Sequence, residues 1–213
     1  SETLHQLQHH PIVQLWSEAV DLSPRHEIVQ QHKSFAWCYQ QGLPTHECNG
    51  QYHVKKRLNI NHWHPGFGWG ITRPAYEAVG GLLDFGICGA GDRHMAMAIL
   101  GYGAQSCHPK VHPRYTALVE AWAQRAQRVF KRDLGYVDGL ITHAWHGKKR
   151  DRGYQDRWQI LVRHQYQPEV DLLHDAQGLW QLVTETPRQW RLRDDLRRYL
   201  MSRNEDSIDL ETS

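Results

Sequence analysis

The chain has 213 residues and 24.9 kDa, and 25 lysines and arginines against 23 aspartates and glutamates leave a net charge of +2. That length holds one large domain or two small ones with a real core. Balanced charge and 40% hydrophobic content exclude an acidic disordered chain, and equally a chain built chiefly to coat nucleic acid.

No apolar run approaches the roughly 18 residues that cross a bilayer, so no membrane span is expected. The opening Ser1–His10 lacks the basic-then-apolar order of a signal peptide, and a soluble, cytoplasmic protein is expected. Pro11–Trp16 has the continuous apolar character of a buried strand. From Gln40 to Arg57, glycine, proline, threonine, asparagine and charge mark a long loop. Leu58–His64 then alternates, with Leu58, Ile60, His62 and His64 on one face and Asn59, Asn61 and Trp63 on the other.

Gly66–Thr72 reads as a glycine-rich strand or turn, and Arg73–Gly81 carries the proline-first, glycine-last punctuation of a two-turn helix. A helix runs from Asp92 to Leu100, and a longer one spans about Pro113 to Lys131, where Tyr115, Leu118, Trp122, Ala126 and Val129 recur at three and four. Tyr136–Trp145 reads as a strand that ends at His146-Gly147. The basic run Lys148, Lys149, Arg150 and Arg152 comes next. Helices follow over about Tyr154–His164 and Gln189–Ser202. The expected fold class is α/β, a mixed sheet flanked by helices over residues 1–203 as a single domain, with a flexible acidic tail at 204–213.

Cys38, Cys48, Cys88 and Cys107 stand at wide, irregular separations without a C-x-x-C pair, which makes reduced thiols the expectation. The 16 histidines and 9 tryptophans are the unusual feature, because these side chains suit ligand chemistry and flat apolar recognition.

Three stretches stand out in order: Gly66-Phe-Gly-Trp-Gly-Ile-Thr-Arg-Pro-Ala-Tyr-Glu-Ala-Val-Gly-Gly-Leu-Leu-Asp84, Gly89-Ala-Gly-Asp92 with its helix, and His143-Ala-Trp-His146. Together they resemble the acceptor-side half of GT-A-fold glycosyltransferases, the group that includes the β1,4-galactosyltransferases and the polypeptide N-acetylgalactosaminyltransferases. The resemblance covers about residues 66–152. It implies that Trp69, with Gly68, Gly70 and Gly91 near it, lines a sugar site, that Asp92 is the catalytic base, and that His146 ligates Mn²⁺ or Mg²⁺. It also implies a nucleotide-sugar donor and a carbohydrate or other hydroxyl acceptor as partners, and no nucleic acid. Two departures are visible: Gly91 stands where the galactosyltransferases have Glu, and no Asp-x-Asp stands upstream of His62. The chain is therefore expected to be the C-terminal half of a GT-A (nucleotide-diphospho-sugar transferase) fold, partnered by an N-terminal nucleotide-binding half.

The residues support these roles on physical grounds, each beside a plainer one. Asp92 lies among glycines at a helix start, where a carboxylate can take a proton from a hydroxyl that the missing side chains let approach; aspartate is also a favoured helix cap. His146, at a strand end beside a glycine, suits a metal ligand or a surface hydrogen bond. Lys148 and Arg150 fit either a departing diphosphate or a solvated loop. His62 and His64 form an H-x-H pair, for a metal or for structural and acceptor contacts; Trp63 and Trp69 offer faces for a sugar or for the core. Other readings are a non-catalytic carbohydrate-binding or regulatory module, a zinc hydrolase built from His62, His64, His143 and His146, and nucleic-acid binding through Arg191, Arg193, Arg197 and Arg198, a stripe that Asp194 and Asp195 interrupt.

Overall fold

A computed structural model describes residues 1–45, 63–154 and 156–208. The chain divides into two compact units, the first made of Ser1–Leu83, Gly91–Ser106 and Val119–Trp145, the second of Asp84–Ala90, Cys107–Leu118 and His146–Ser213. The α/β class with mixed sheets and flanking helices is as expected.

The first unit holds two mixed sheets. Strands β1 (Ile12–Gln14), β5 (Trp69–Ile71) and β6 (Gly135–Tyr136) form one in the order β5-β1-β6; β2 (Glu18–Leu22), β3 (Ile28–Ser34), β4 (Trp63–His64) and β7 (Leu140–His143) form the other in the order β4-β3-β2-β7. Two stretches of chain pass from one sheet to the other side by side. β1 pairs in parallel with β6 (Val13 with Gly135), and beyond a corner β2 pairs in parallel with β7 (Glu18 with Leu140, Asp21 with His143).

Hydrogen bonds lock that corner. The N–H groups of Ser17 and Glu18 each donate to Gly139 O at 3.0 Å, Ser17 Oγ donates to Asp138 Oδ1 at 2.7 Å, and Gly139 N–H donates back to Ser17 Oγ. The single strand expected across Tyr136–Trp145 is thus two strands in two sheets, broken at Asp138-Gly139, and the strand at Pro11–Trp16 is confined to Ile12–Gln14. Of Leu58–His64, only Trp63 and His64 fall among the described residues, as β4; His62 lies outside them.

Helices α1 (Glu2–Gln6), α2 (Phe35–Gln40), α3 (Arg73–Val79), α4 (Gly91–Ile99) and α5 (Pro113–Phe130) accompany the sheets. Ser34 starts α2 by accepting the Trp37 N–H. Gly80, at φ +82°, ends α3 in the left-handed conformation that glycine adopts without strain. Two side chains of α5 satisfy carbonyls at that end, Trp122 Nε1 at Gly81 O (2.9 Å) and Arg125 Nε at Val79 O (2.8 Å). The core of this unit contains Trp16, Phe35, Trp63, Met97, Ile99 and Phe130, all at most 1% exposed, each contributing about 1.5–3 kcal/mol by burial.

The second unit contains α6 (Arg157–Arg163), α7 (Pro168–Asp171), the hairpin β8 (Leu172–His174) with β9 (Trp180–Leu182), and α8 (Pro187–Ser202). A capping box opens α8: Thr186 accepts from the Gln189 N–H, and the Gln189 side chain accepts from the Thr186 N–H. Tyr115 and Tyr166 are fully buried there, and the Tyr166 hydroxyl donates to Phe85 O at 2.9 Å. Gly147 is held at φ +85°, and a Cβ on it would stand 2.6 Å from Asn204 O. Asn204 and Glu205, at the start of the expected tail, therefore lie against the backbone that follows His146.

Candidate functional site

The site in the first unit grows from the turn between β4 and β5. Gln14, fully buried on β1, donates through Nε2 to His64 O (2.9 Å) and Gly66 O (3.2 Å), and accepts the Ala36 N–H at 3.0 Å. Trp16 Nε1 reaches Gly66 O at 3.3 Å and Trp69 Nε1 reaches Pro65 O at 2.7 Å. The turn is thus tied to the sheet by these side chains and by the Leu15 N–H, which donates to Gly68 O at 3.1 Å.

Within the turn, Gly66 N–H donates to His64 Nδ1 at 3.0 Å. An imidazole nitrogen that accepts carries no proton, so neutral His64 has its hydrogen on Nε2 and acts there as a donor. Phe67 follows at φ +73°, a conformation bulky side chains rarely adopt, and the residue is 38% exposed. That ring stacks on His64 (centroids 4.4 Å apart, 9° between planes) and meets His143 at 4.6 Å and Trp16 at 5.3 Å.

Asp92 is exposed in the first turn of α4, which begins at Gly91, so the carboxylate sits inside the helix rather than at its cap. Oδ1 accepts the Arg93 N–H at 2.7 Å, and Oδ2 stands 2.9 Å from where a Cβ of Gly66 would be, the position that His64 Cε1 approaches to 2.7 Å. Both side-chain ends thus approach a position that a side chain at residue 66 would fill.

On the neighbouring strands, Asp21 Oδ2 contacts His32 Nε2 at 2.7 Å and Oδ1 contacts His143 Nδ1 at 2.9 Å. The side chain of His32 is 2% exposed, that of Asp21 11%, and that of His143 28%.

The residues singled out in the sequence are distributed as follows. Trp69, Gly68, Gly70, Trp63, His64, Gly91 and Asp92 belong to the first unit; His146, Lys148 and Arg150 belong to the second. Trp69 is half-buried. Gly68 and Gly70 are close-packed, with Leu15 side-chain carbons 3.1 and 3.3 Å from their would-be Cβ atoms, so their lack of a side chain serves packing of the strand. Trp63 is 1% exposed against Phe35, which places it in the core, the plainer of the two roles open to it. Gly91 would bring a Cβ 3.2 Å from Leu83 O, again a packing constraint. Phe67, Asp21, His32 and Gln14 are the members that sequence reasoning missed. The one signal was an aromatic residue set between two glycines.

Around His146, Arg152 Nη2 donates to Nε2 at 2.8 Å, and Nδ1 stands 3.8 Å from Glu205 Oε1. The Arg152 guanidinium thus engages Nε2, and Nδ1 faces the Glu205 carboxylate. No group of three or more His, Cys, Asp or Glu suited to a metal occurs among the described residues. Arg150 is exposed with Nε 3.5 Å from Asp151, and Lys148 precedes the short 3₁₀ turn Lys149–Arg152.

No known protein family, curated protein or solved structure matches the chain. Among the described residues, no helix is long and apolar enough to cross a membrane.

Proposed function

We propose that the chain is the acceptor-side part of a glycosyltransferase of the GT-A kind, moving a sugar from a nucleotide-sugar donor to an acceptor hydroxyl. The observation that carries this reading is the exposed Asp92, whose carboxylate and the His64 ring both come within 3 Å of the position a Cβ of Gly66 would take. In the proposed step Asp92 takes the proton of the acceptor hydroxyl, the oxygen forms a bond to the anomeric carbon, and the bond from that carbon to the diphosphate oxygen breaks with its electron pair. The nucleoside diphosphate leaves with that charge. Mn²⁺ or Mg²⁺ at His146 remains part of what the resemblance implies; with Arg152 on Nε2, no step is drawn through it.

That same Arg152 contact favours a second reading, a carbohydrate-binding module without transfer. One experiment separates the two. The chain, and any longer protein that contains it, is assayed for transfer from radiolabelled UDP- and GDP-sugars to mixed glycoside acceptors, with Asp92→Asn alongside. Transfer that Asp92→Asn lowers by about a hundredfold, within the range of general-base effects, with donor binding unchanged, supports the enzyme. Glycoside binding without transfer in either protein supports the module.

A further inference from the structure

The stretch that follows His146 has a surplus of positive charge: Lys148, Lys149, Arg150, Arg152 and Arg157 stand there against two carboxylates, Asp151 and Asp156. Two of these arginines meet the same tyrosine. Arg152 Nη1 donates to the Tyr154 hydroxyl at 3.1 Å, and the Arg157 guanidinium lies over the Tyr154 ring, 5.1 Å from its centroid. In both arginines Nε is shut off from solvent and has no hydrogen-bond partner among the described residues.

Arg157 is the less satisfied of the two. Arg152 commits its other nitrogens to Tyr154 and His146, Arg150 faces Asp151 and Arg203 faces Glu205, whereas the Arg157 side chain makes no hydrogen bond or ion pair among the described residues. Half-buried, it rests on the backbone of Gly89, with Nη1 3.0 Å from where a Cβ would be. The groups it acts on electrostatically, Cys88 and Tyr115, are both kept uncharged at neutral pH by burial. A positive charge drawn out of water without a counter-charge is costly, and a bound anion offsets that cost.

We propose that Arg157, with Arg152 on the hydroxyl of the same Tyr154, forms a site for a phosphate group, whose oxygens the Nη end of Arg157 takes as a fork. A guanidinium fork fits a carboxylate as well as a phosphate. Charge decides between them. Five cations against two carboxylates leave a surplus that a dianion balances better than a monoanion, and a phosphate monoester carries about −1.5 to −2 at neutral pH. The site lies within the second unit and requires nothing of Asp92 or of sugar transfer.

A titration of the full chain labelled with ¹⁵N-arginine, followed by ¹H–¹⁵N correlation NMR at about pH 6.5, tests the proposal, because a shielded Nε–H exchanges slowly enough to be seen. The Arg157 signal is assigned through its bonds to the backbone amide, so the wild-type reading needs no variant to fold. At constant ionic strength, inorganic phosphate should shift the Arg157 and Arg152 signals with a Kd below about 1 mM, and acetate should bind at least tenfold more weakly. Arg157→Lys keeps the charge but removes the fork, and should weaken the response of Arg152 at least tenfold. Phenyl phosphate identifies the source: tighter binding than inorganic phosphate assigns the site to a phosphate ester, equal or weaker binding to free phosphate, and either supports the site. An Arg157 signal unmoved by about 10 mM phosphate, an equal response to acetate, the same shift in every arginine signal, or an undiminished response in Arg157→Lys overturns it. None of these readouts involves a sugar donor or turnover.

Discussion

His64 and Asp92 close over one backbone atom, the Cα of Gly66, where a Cβ would lie 2.7 Å from the imidazole Cε1 and 2.9 Å from the carboxylate Oδ2. Both groups are side-chain ends that can swing aside, so Gly66→Ala should displace them rather than unfold the unit. We expect a thermal midpoint within a few degrees of wild type, together with about a tenfold loss in glycoside affinity or transfer, or ~1.4 kcal/mol. A melt and a titration on one preparation check it; unchanged binding would detach the pair from the ligand.

Acid should act first on buried carboxylates of the second unit. Burial of Asp171 raises its pKa, but the Arg188 guanidinium, the Gln167 N–H and the Gln189 amide together hold it below the ordinary 3.8. Asp195 is held low foremost by its hydrogen bond to His164. A folded-state value depressed below the unfolded one means stability that is complete above the unfolded value and is lost as pH falls through it toward the folded one. The thermal midpoint should therefore fall from about pH 4 downward. In Asp171→Asn the neutral-pH loss should be about 2–4 kcal/mol, discounted because Arg188 is a third exposed, and the acid slope should be shallower. Melts at pH 7, 4 and 2.5 measure both.

Thiol chemistry offers a test of burial. Desolvation pushes the thiols of Cys38 and Cys88 up to about 12, outweighing the attraction of Lys33 and Arg157 respectively. Since the thiolate is the nucleophile, native-state iodoacetamide labelling followed by peptide mapping should find both slower than partly exposed Cys107. Rapid labelling of Cys38 would show that α2 opens.

His146 gives a prediction about metal. With Arg152 on its Nε2, the chain should leave the six-line EPR signal of aqueous Mn²⁺ undiminished at equimolar concentrations, because a lone imidazole competes poorly with water for this ion. Quenching in the wild type would mean that Arg152 yields its place; quenching only in Arg152→Ala would mean that it guards the nitrogen.

How much of the fold and of the site is legible in the sequence depends on range. The helix over Pro113–Phe130 follows from its apolar spacing, a local signal, and the helix expected from about Gln189 to Ser202 starts two residues earlier, at Pro187. The β2–β3 hairpin went unread because its pattern is inverted in places: Asp21 and His32 are buried while Ile28 and Val29 are 60% and 56% exposed. Alternation across Tyr136–Trp145 hid a corner, since Asp138-Gly139 breaks the strand through contacts with Ser17. Asp92 was found from its glycines. Phe67, Asp21 and His143 were not assembled, because what joins them is pairing across more than a hundred residues, which spacing cannot express.

The side-by-side passage of residues 12–22 and 135–143 from one sheet into the other also bears on how the chain is made. Each inner strand of that passage gains a parallel neighbour only from chain that emerges more than a hundred residues later. During synthesis β1 and β2 must therefore wait with open edges, and loop closure of this length is the slow step in topologies of high contact order. The nascent first unit therefore carries unpaired strand edges, a general aggregation hazard, until residue 143 has left the ribosome.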